Sequence, residues 1–192
     1  MAVVASPDQL RRDARNNRAA ILAAARALFA DSADVAMCQV ARRAGVGQAT
    51  LYRNFPSRGA LAAEILDEHV ERIAALAAEH AGRPDAFFVL LRGLIDGMVG
   101  LYGLAVLARR DGDADSQLQD GRRRIAGLLE EPLADAKAAG TLRRDVTVDD
   151  VFLLLGMARG AMEGSADASA RSAVAHRVLA LILGGVERPA TG

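Results

Sequence analysis

The chain has 192 residues, 52% of them hydrophobic and 25% charged, a balance that supports a sizeable buried core and excludes global disorder. The 24 lysines and arginines equal the 24 aspartates and glutamates, so the formal net charge is zero. The charge is unevenly placed, however. Residues 1–60 hold nine arginines, no lysine and four aspartates, an excess of five positive charges that the rest of the chain cancels. A basic head on an acidic body points to nucleic-acid contact at one end.

The apolar runs at 151–155 and 178–183 are far shorter than the roughly 20 residues needed to cross a bilayer, so no membrane partner is expected. Met1 to Asp8 lack the basic and apolar regions of a signal peptide. A lone Cys38 excludes an internal disulfide framework and fits a reducing cytoplasm, as a bystander thiol rather than a redox sensor. Three separated histidines, His69, His80 and His176, form no metal-ligand cluster with it, so neither a metal nor a cofactor is expected. No nucleophile elbow, phosphate-binding loop or placed carboxylate pair is present, which leaves no catalytic residue to name and argues against an enzyme.

In chain order, almost every periodic stretch has the helical repeat, so an all-α fold is expected. Ser6-Pro7-Asp8-Gln9 is a helix-start signature, and a first helix is predicted over about 12–30, with Ile21, Leu22, Ala25, Leu28 and Phe29 as its apolar stripe. Short helices are predicted over 37–44 and 48–54, separated by Gly45-Val46-Gly47. Pro56-Ser57 ends one element and caps a long helix over 57–80. Further helices are predicted over 85–107, 118–139, 148–164 and 168–186, with a charged, mobile loop over 109–117. The expected organisation is a flexible arm (1–11), a helix-turn-helix domain (12–57), a larger helical regulatory and dimerisation domain (58–187) and a frayed end (188–192).

The segment from Gln39 to Phe55 is the most informative. Two short helices joined through a glycine meet the demands of a helix-turn-helix. Ala41 is small where the helices cross, and Gly45 supplies the positive φ of the tight turn. Val46, Leu51 and Phe55 face inward, which leaves Gln48, Ala49, Tyr52, Arg53 and Asn54 on or near the outer face of the second helix, where side chains can meet bases or phosphates.

These residues, with Ile21-Leu22-Ala23-Ala24-Ala25, Val40-Ala41-Arg42-Arg43-Ala44-Gly45-Val46 and Thr50-Leu51-Tyr52-Arg53-Asn54-Phe55-Pro56-Ser57-Arg58, resemble the DNA-binding domain of the TetR family of bacterial transcription regulators. The resemblance implies a homodimer on double-stranded DNA, its recognition helices entering successive major grooves about 34 Å apart on a palindromic operator. It implies that Gln48, Ala49 and Arg53 read bases, while Gly47, Thr50, Tyr52, Asn54 and Arg58 bind phosphates. Arg11, Arg12 and Arg15 precede the domain and are placed to follow a minor groove. The sequence departs from the family pattern twice. Val35-Ala36-Met37-Cys38 lacks the usual hydroxyl at the start of the second helix, and Gly59 stands where a strong helix former is usual.

For the body, the resemblance implies a small-molecule effector and a dimer interface on the last two long helices. Phe88, Arg92, Met98, Tyr102, Phe152 and Arg159 are the candidate effector contacts, and each also fits ordinary core or surface. Gly156, Gly160 and Gly164, with Val174, Val178, Leu181 and Ile182, form an apolar ridge for either a partner copy or intrachain packing. The function expected is that of a cytoplasmic, operator-bound repressor released by its effector; an activator or a ligand-independent regulator is the alternative on the same scaffold.

Overall fold

The computed structural model describes residues 6–32, 34–104 and 112–186. Every regular element within them is an α-helix, as the periodicity predicts. These are α1 (Pro7–Asp31), α2 (Met37–Ala44), α3 (Gln48–Asn54), α4 (Arg58–Glu79), α5 (Ala86–Gly100), α6 (Gly112–Ala138), α7 (Val148–Met162) and α8 (Ala168–Val186). Residues 102–104 make a further helical turn after α5. The C-terminal segment 188–192, expected to fray, lies outside the described residues.

Four boundaries differ from the sequence reading. α1 starts at Pro7 rather than near residue 12, because the Ser6 hydroxyl accepts the Gln9 N–H at 3.2 Å and proline suits the first helical position. Residues 7–11 are thus helical rather than an arm. α6 is already helical at Gly112, so residues 112–117 are not a loop; an Asp-rich stretch suits a helix's first turns as well as it suits a loop. The expected helix over 85–107 stops at Gly100, where the Leu101 N–H closes the last turn on the Gly97 carbonyl at 3.0 Å. Gly103 explains that turn: a Cβ there would sit 2.4 Å from the carbonyl oxygens of both Phe29 and Ser32, so the chain must bend to bring bare backbone against the end of α1. α7 ends at Met162, and Gly164 has a φ of 86° in the turn that follows, which removes it from the ridge it was expected to continue.

Two cores result. Ile21, Leu22 and Phe29 of α1, Val40 and Ala41 of α2, Leu51 of α3 with Phe55, and Leu61 and Ile65 of α4 form the first. The second gathers Val70 and Ile73 of α4 with residues of α5, α6, α7 and α8, such as Phe87, Leu91, Leu129 and Leu179. α4 therefore serves both, and α5, which contacts α1, α4, α6, α7 and α8, is the hub of the body. Along its outer side α4 carries Glu64, Asp67, Glu68 and Glu71 at helical spacing. Glu64 pairs with Arg18 at 2.7 Å, Glu68 with Arg26, and Asp67 and Glu71 with Arg124 at 2.7 and 2.6 Å. Such exposed pairs contribute about 0–1 kcal/mol each, but this ladder ties α4 to α1 on one side and to α6 on the other.

Candidate nucleic-acid interface

The turn between α2 and α3 is built as its sequence demands. Gly45 has a φ of 68°, its N–H meets the Arg42 carbonyl at 3.3 Å, and the Val46 N–H reaches back to the Ala41 carbonyl at 3.0 Å. This pair of bonds satisfies the last carbonyls of α2 and aims the chain into α3. Ala41 is buried at the crossing, and Leu51 and Phe55 anchor α3 from beneath. At the start of α2, Ala36 offers no capping side chain, but the Gln39 side-chain oxygen accepts the Ala36 N–H at 2.9 Å. This is one half of a capping box. The hydroxyl missing from this position is thus replaced for helix capping, though not as a phosphate ligand.

With Leu51 and Phe55 inward, Gln48, Ala49, Tyr52 and Arg53 are exposed, Tyr52 to 49%. Gly47 is exposed as the extended N-cap residue of α3. Thr50 and Asn54 are half-buried and partly engaged within the helix: Arg53 Nη2 donates to Thr50 Oγ1 at 3.0 Å, and Asn54 Nδ2 to the Thr50 carbonyl at 2.8 Å. Arg58 is half-buried, with Nη1 donating to the Val35 carbonyl at 3.4 Å, so it also ties the start of α4 to the segment before α2. Arg42 and Arg43 are exposed in the last turn of α2. Arg11, Arg12 and Arg15 are exposed on α1 itself.

Sequence reasoning overlooked Arg18. Its guanidinium lies 4.6 Å from the centre of the Phe55 ring, donates to the Asn54 carbonyl at 3.5 Å and pairs with Glu64. It therefore joins α1, the end of α3 and α4, placing a cation where the helix dipole favours one. The acidic stripe on α4 was the available signal, since four acids at spacings of three and four define one helix face.

The residues expected in the body scatter. Phe88, Met98, Tyr102 and Phe152 are half-buried against the second core, Arg159 is half-buried and Arg92 is exposed. Arg122 covers the Phe152 ring at 4.3 Å. None of the six lines the cleft of about 500 Å³ between α4 and α5, whose walls include His69, Arg72, Glu79, Gly93, Asp96 and Gly97. There the His69 ring is packed on Gly97, where a Cβ would fall 1.9 Å from the ring. On α7 and α8, Gly156 and Gly160 are exposed, and a Cβ on either would meet nothing within 4 Å. Val174 packs on the second core, Val178 and Ile182 are half-buried, and Leu181 is 60% exposed. Among the described residues no helix is long and apolar enough to cross a membrane, and no cluster of metal ligands occurs.

A two-helix reading head on a helical body is also what comparison with known proteins finds. Residues 21–65 match the family described as bacterial regulatory proteins, tetR family, and residues 83–188 match the SbtR-like transcriptional regulator C-terminal domain. A TetR transcription regulatory protein from Mycobacterium vanbaalenii is 33% identical, with 93% of this chain and 99% of that one covered at a TM-score of 0.66. A TetR transcriptional regulator from Streptomyces coelicolor is 30% identical, with 90% and 99% covered and the same TM-score. NalD of Pseudomonas aeruginosa, the secondary repressor of a multidrug efflux pump, is 17% identical at a TM-score of 0.58 and shares the fold. No curated protein matches the chain significantly. The body match alone spans more than half of the sequence, and the head carries the outward recognition helix that DNA reading requires, so the chain belongs to the TetR family of DNA-binding transcription regulators, which are not enzymes.

Proposed function

We propose that the protein is a homodimeric repressor that leaves a palindromic operator when a small molecule enters its body. The observation that carries the dimer is the outer face of α7 and α8. Leu153, Met157 and Leu181 are 62%, 59% and 60% exposed, beside the bare backbone of Gly156 and Gly160. Large apolar side chains around glycines that touch nothing in their own chain suit a second copy approaching closely. Val178 and Ile182, half-buried on α8, would extend that contact.

In the reading head, Gln48 would make a bidentate contact to adenine and Arg53 to guanine, each worth about 1–3 kcal/mol of discrimination. Gly47, Thr50, Tyr52, Asn54 and Arg58 would set the register on the phosphates. For the effector, the α4/α5 cleft is the entry. A ligand wedged there displaces α4, which carries Leu61 and Ile65 of the head core, and the two heads then no longer match both half-sites. Phe88, Met98, Tyr102 and Phe152 would be reached from inside the body, with Arg92 or Arg159 meeting a polar group.

Gel-shift titrations across operator variants test the reading head. Tyr52→Ala should weaken binding to all sequences alike, by about 1 kcal/mol, whereas Gln48→Ala should lose affinity chiefly at one base position. Equal losses for Gln48→Ala on every sequence would remove its reading role. Reporter transcription with and without the protein separates a repressor from an activator.

A further inference from the structure

Arg171 joins the two halves of the molecule and has no part in the contacts assigned above. It lies in the first turn of α8, is 4% exposed and reaches 140 residues back along the chain. Its Nη2 donates to the carbonyl oxygens of Ala30 and Asp31, the last two residues of α1, at 2.8 and 3.0 Å. Nη1 donates to the Ser165 carbonyl at 3.3 Å, the Asp31 carboxylate lies at 3.8 Å, and the guanidinium stands 4.6 Å from the centre of the Tyr102 ring. Nε–H has no hydrogen-bond partner among the described residues.

A helix ends in carbonyls without intrahelical partners and a partial negative charge. α1 has no basic residue in its own last turn, so α8 supplies the cation. Next to it Gly103 lays backbone against Phe29 and Ser32, seating the same end of α1 on the turn after α5. A buried guanidinium is costly to leave unpaired, so this joint closes in one geometry rather than sliding.

We infer that Arg171 is the positioning residue that fixes the reading head on the body and thereby sets the half-site separation the dimer accepts. The separation rests on the dimeric reading above. α8 offers Leu181 to the second copy at one end and holds α1 through Arg171 at the other. α1 in turn holds the end of α3 through Arg18. Dimer contact, Arg171, α1 and recognition helix thus form one mechanical path.

Cys38 is the sole cysteine and is exposed on α2, so a nitroxide there reports the separation of the two heads by pulsed electron spin resonance. In Arg171→Met the Cys38–Cys38 distance distribution should broaden about twofold. One base pair inserted between half-sites rotates them by about 35°. The wild type should lose about tenfold in affinity on that insertion and the variant less than about threefold. An unchanged distance width and an unchanged spacing profile in folded Arg171→Met would overturn the inference, whatever the affinity at the best spacing. Should that variant melt, Arg171→Lys, which keeps the charge but not the planar guanidinium that also reaches Ser165 and covers Tyr102, and Tyr102→Leu are measured by the same criteria. If the wild type gives no Cys38–Cys38 coupling, the dimeric reading has failed. The head-fixing role is then decided by the intramolecular distance from Cys38 to a second label at Glu130→Cys on α6. Broadening in Arg171→Met supports the role, and an unchanged width overturns it.

Discussion

Burial of His69 holds its imidazole neutral, with a pKa lowered to about 4 by desolvation and, secondarily, by the Arg72 guanidinium. Arg72 Nη2 lies 3.1 Å from His69 Nδ1; an arginine only donates, so that nitrogen is the acceptor. The unfolded chain takes up this proton near pH 6.5, whereas the folded protein resists until about pH 4. The associated stability is therefore complete above pH 6.5 and falls by about 3 kcal/mol as the pH drops to 4. Denaturant unfolding at stepped pH should show that decline, and His69→Gln should show a shallower one. Gly59 makes the opposite case. It follows the Ser57 cap in the first turn of α4, and an added Cβ would meet only Ser57 Oγ at 3.7 Å. Gly59→Ala should stabilise by about 0.5–1 kcal/mol and raise Tm by about 1–4 °C, because it restricts the unfolded chain and strains nothing. At this scale the sequence is readable where a residue's job is local. Gly45 for its turn, Ala41 for its crossing and Leu51 for its anchor could all be read from spacing. Arg171 could not, since its partners lie far back in the chain on α1, and neither could His69, whose burial depends on packing against Gly97 of α5.

Among elements, α3 is the shortest and depends most on its neighbours. Seven residues form too few internal hydrogen bonds to be stable alone, so Leu51, Phe55 and Arg18 must hold it. Arg18→Ala removes a bond to a helix-end carbonyl and a guanidinium from an aromatic ring, about 1–2 kcal/mol together. The operator affinity should fall about tenfold by fluorescence anisotropy while the helix content stays unchanged. Unaltered affinity would show that α3 needs no such support. The helices themselves were legible from the repeat of apolar residues, and Thr147 with Asp150 caps α7. The end of α5 was not, because it is dictated by where Gly103 meets α1, a contact between residues about 70 positions apart in the chain. The body candidates were least legible: an aromatic residue at helical spacing looks the same whether it faces core or cleft.

For the whole molecule, the exposed face of α7 and α8 carries the quaternary reading. Met157→Glu places a charge at its middle and should give a monomer by sedimentation. Operator affinity should then fall by about a hundredfold or more, since two half-sites held together bind far more tightly than one. The division of charge, visible in the sequence, also changes meaning once the ladder is in place. Carrying the count from residue 60 to Glu71 adds four acids and no lysine or arginine, leaving an excess of a single positive charge. Arg18 and Arg26 are held by two of those acids, whereas Arg12, Arg15, Arg42, Arg43 and Arg53 remain exposed on α1, α2 and α3. The head thus has little net charge but an uneven one: its free cations lie on the reading helices, while the acids of α4 are matched by arginines of α1 and α6. An object of that kind is turned by the field of a DNA duplex as well as drawn to it. Approaches that lead with the cationic reading helices are favoured over those that lead with the neutralised face of α4, so part of the search over orientations is completed before the first contact is made.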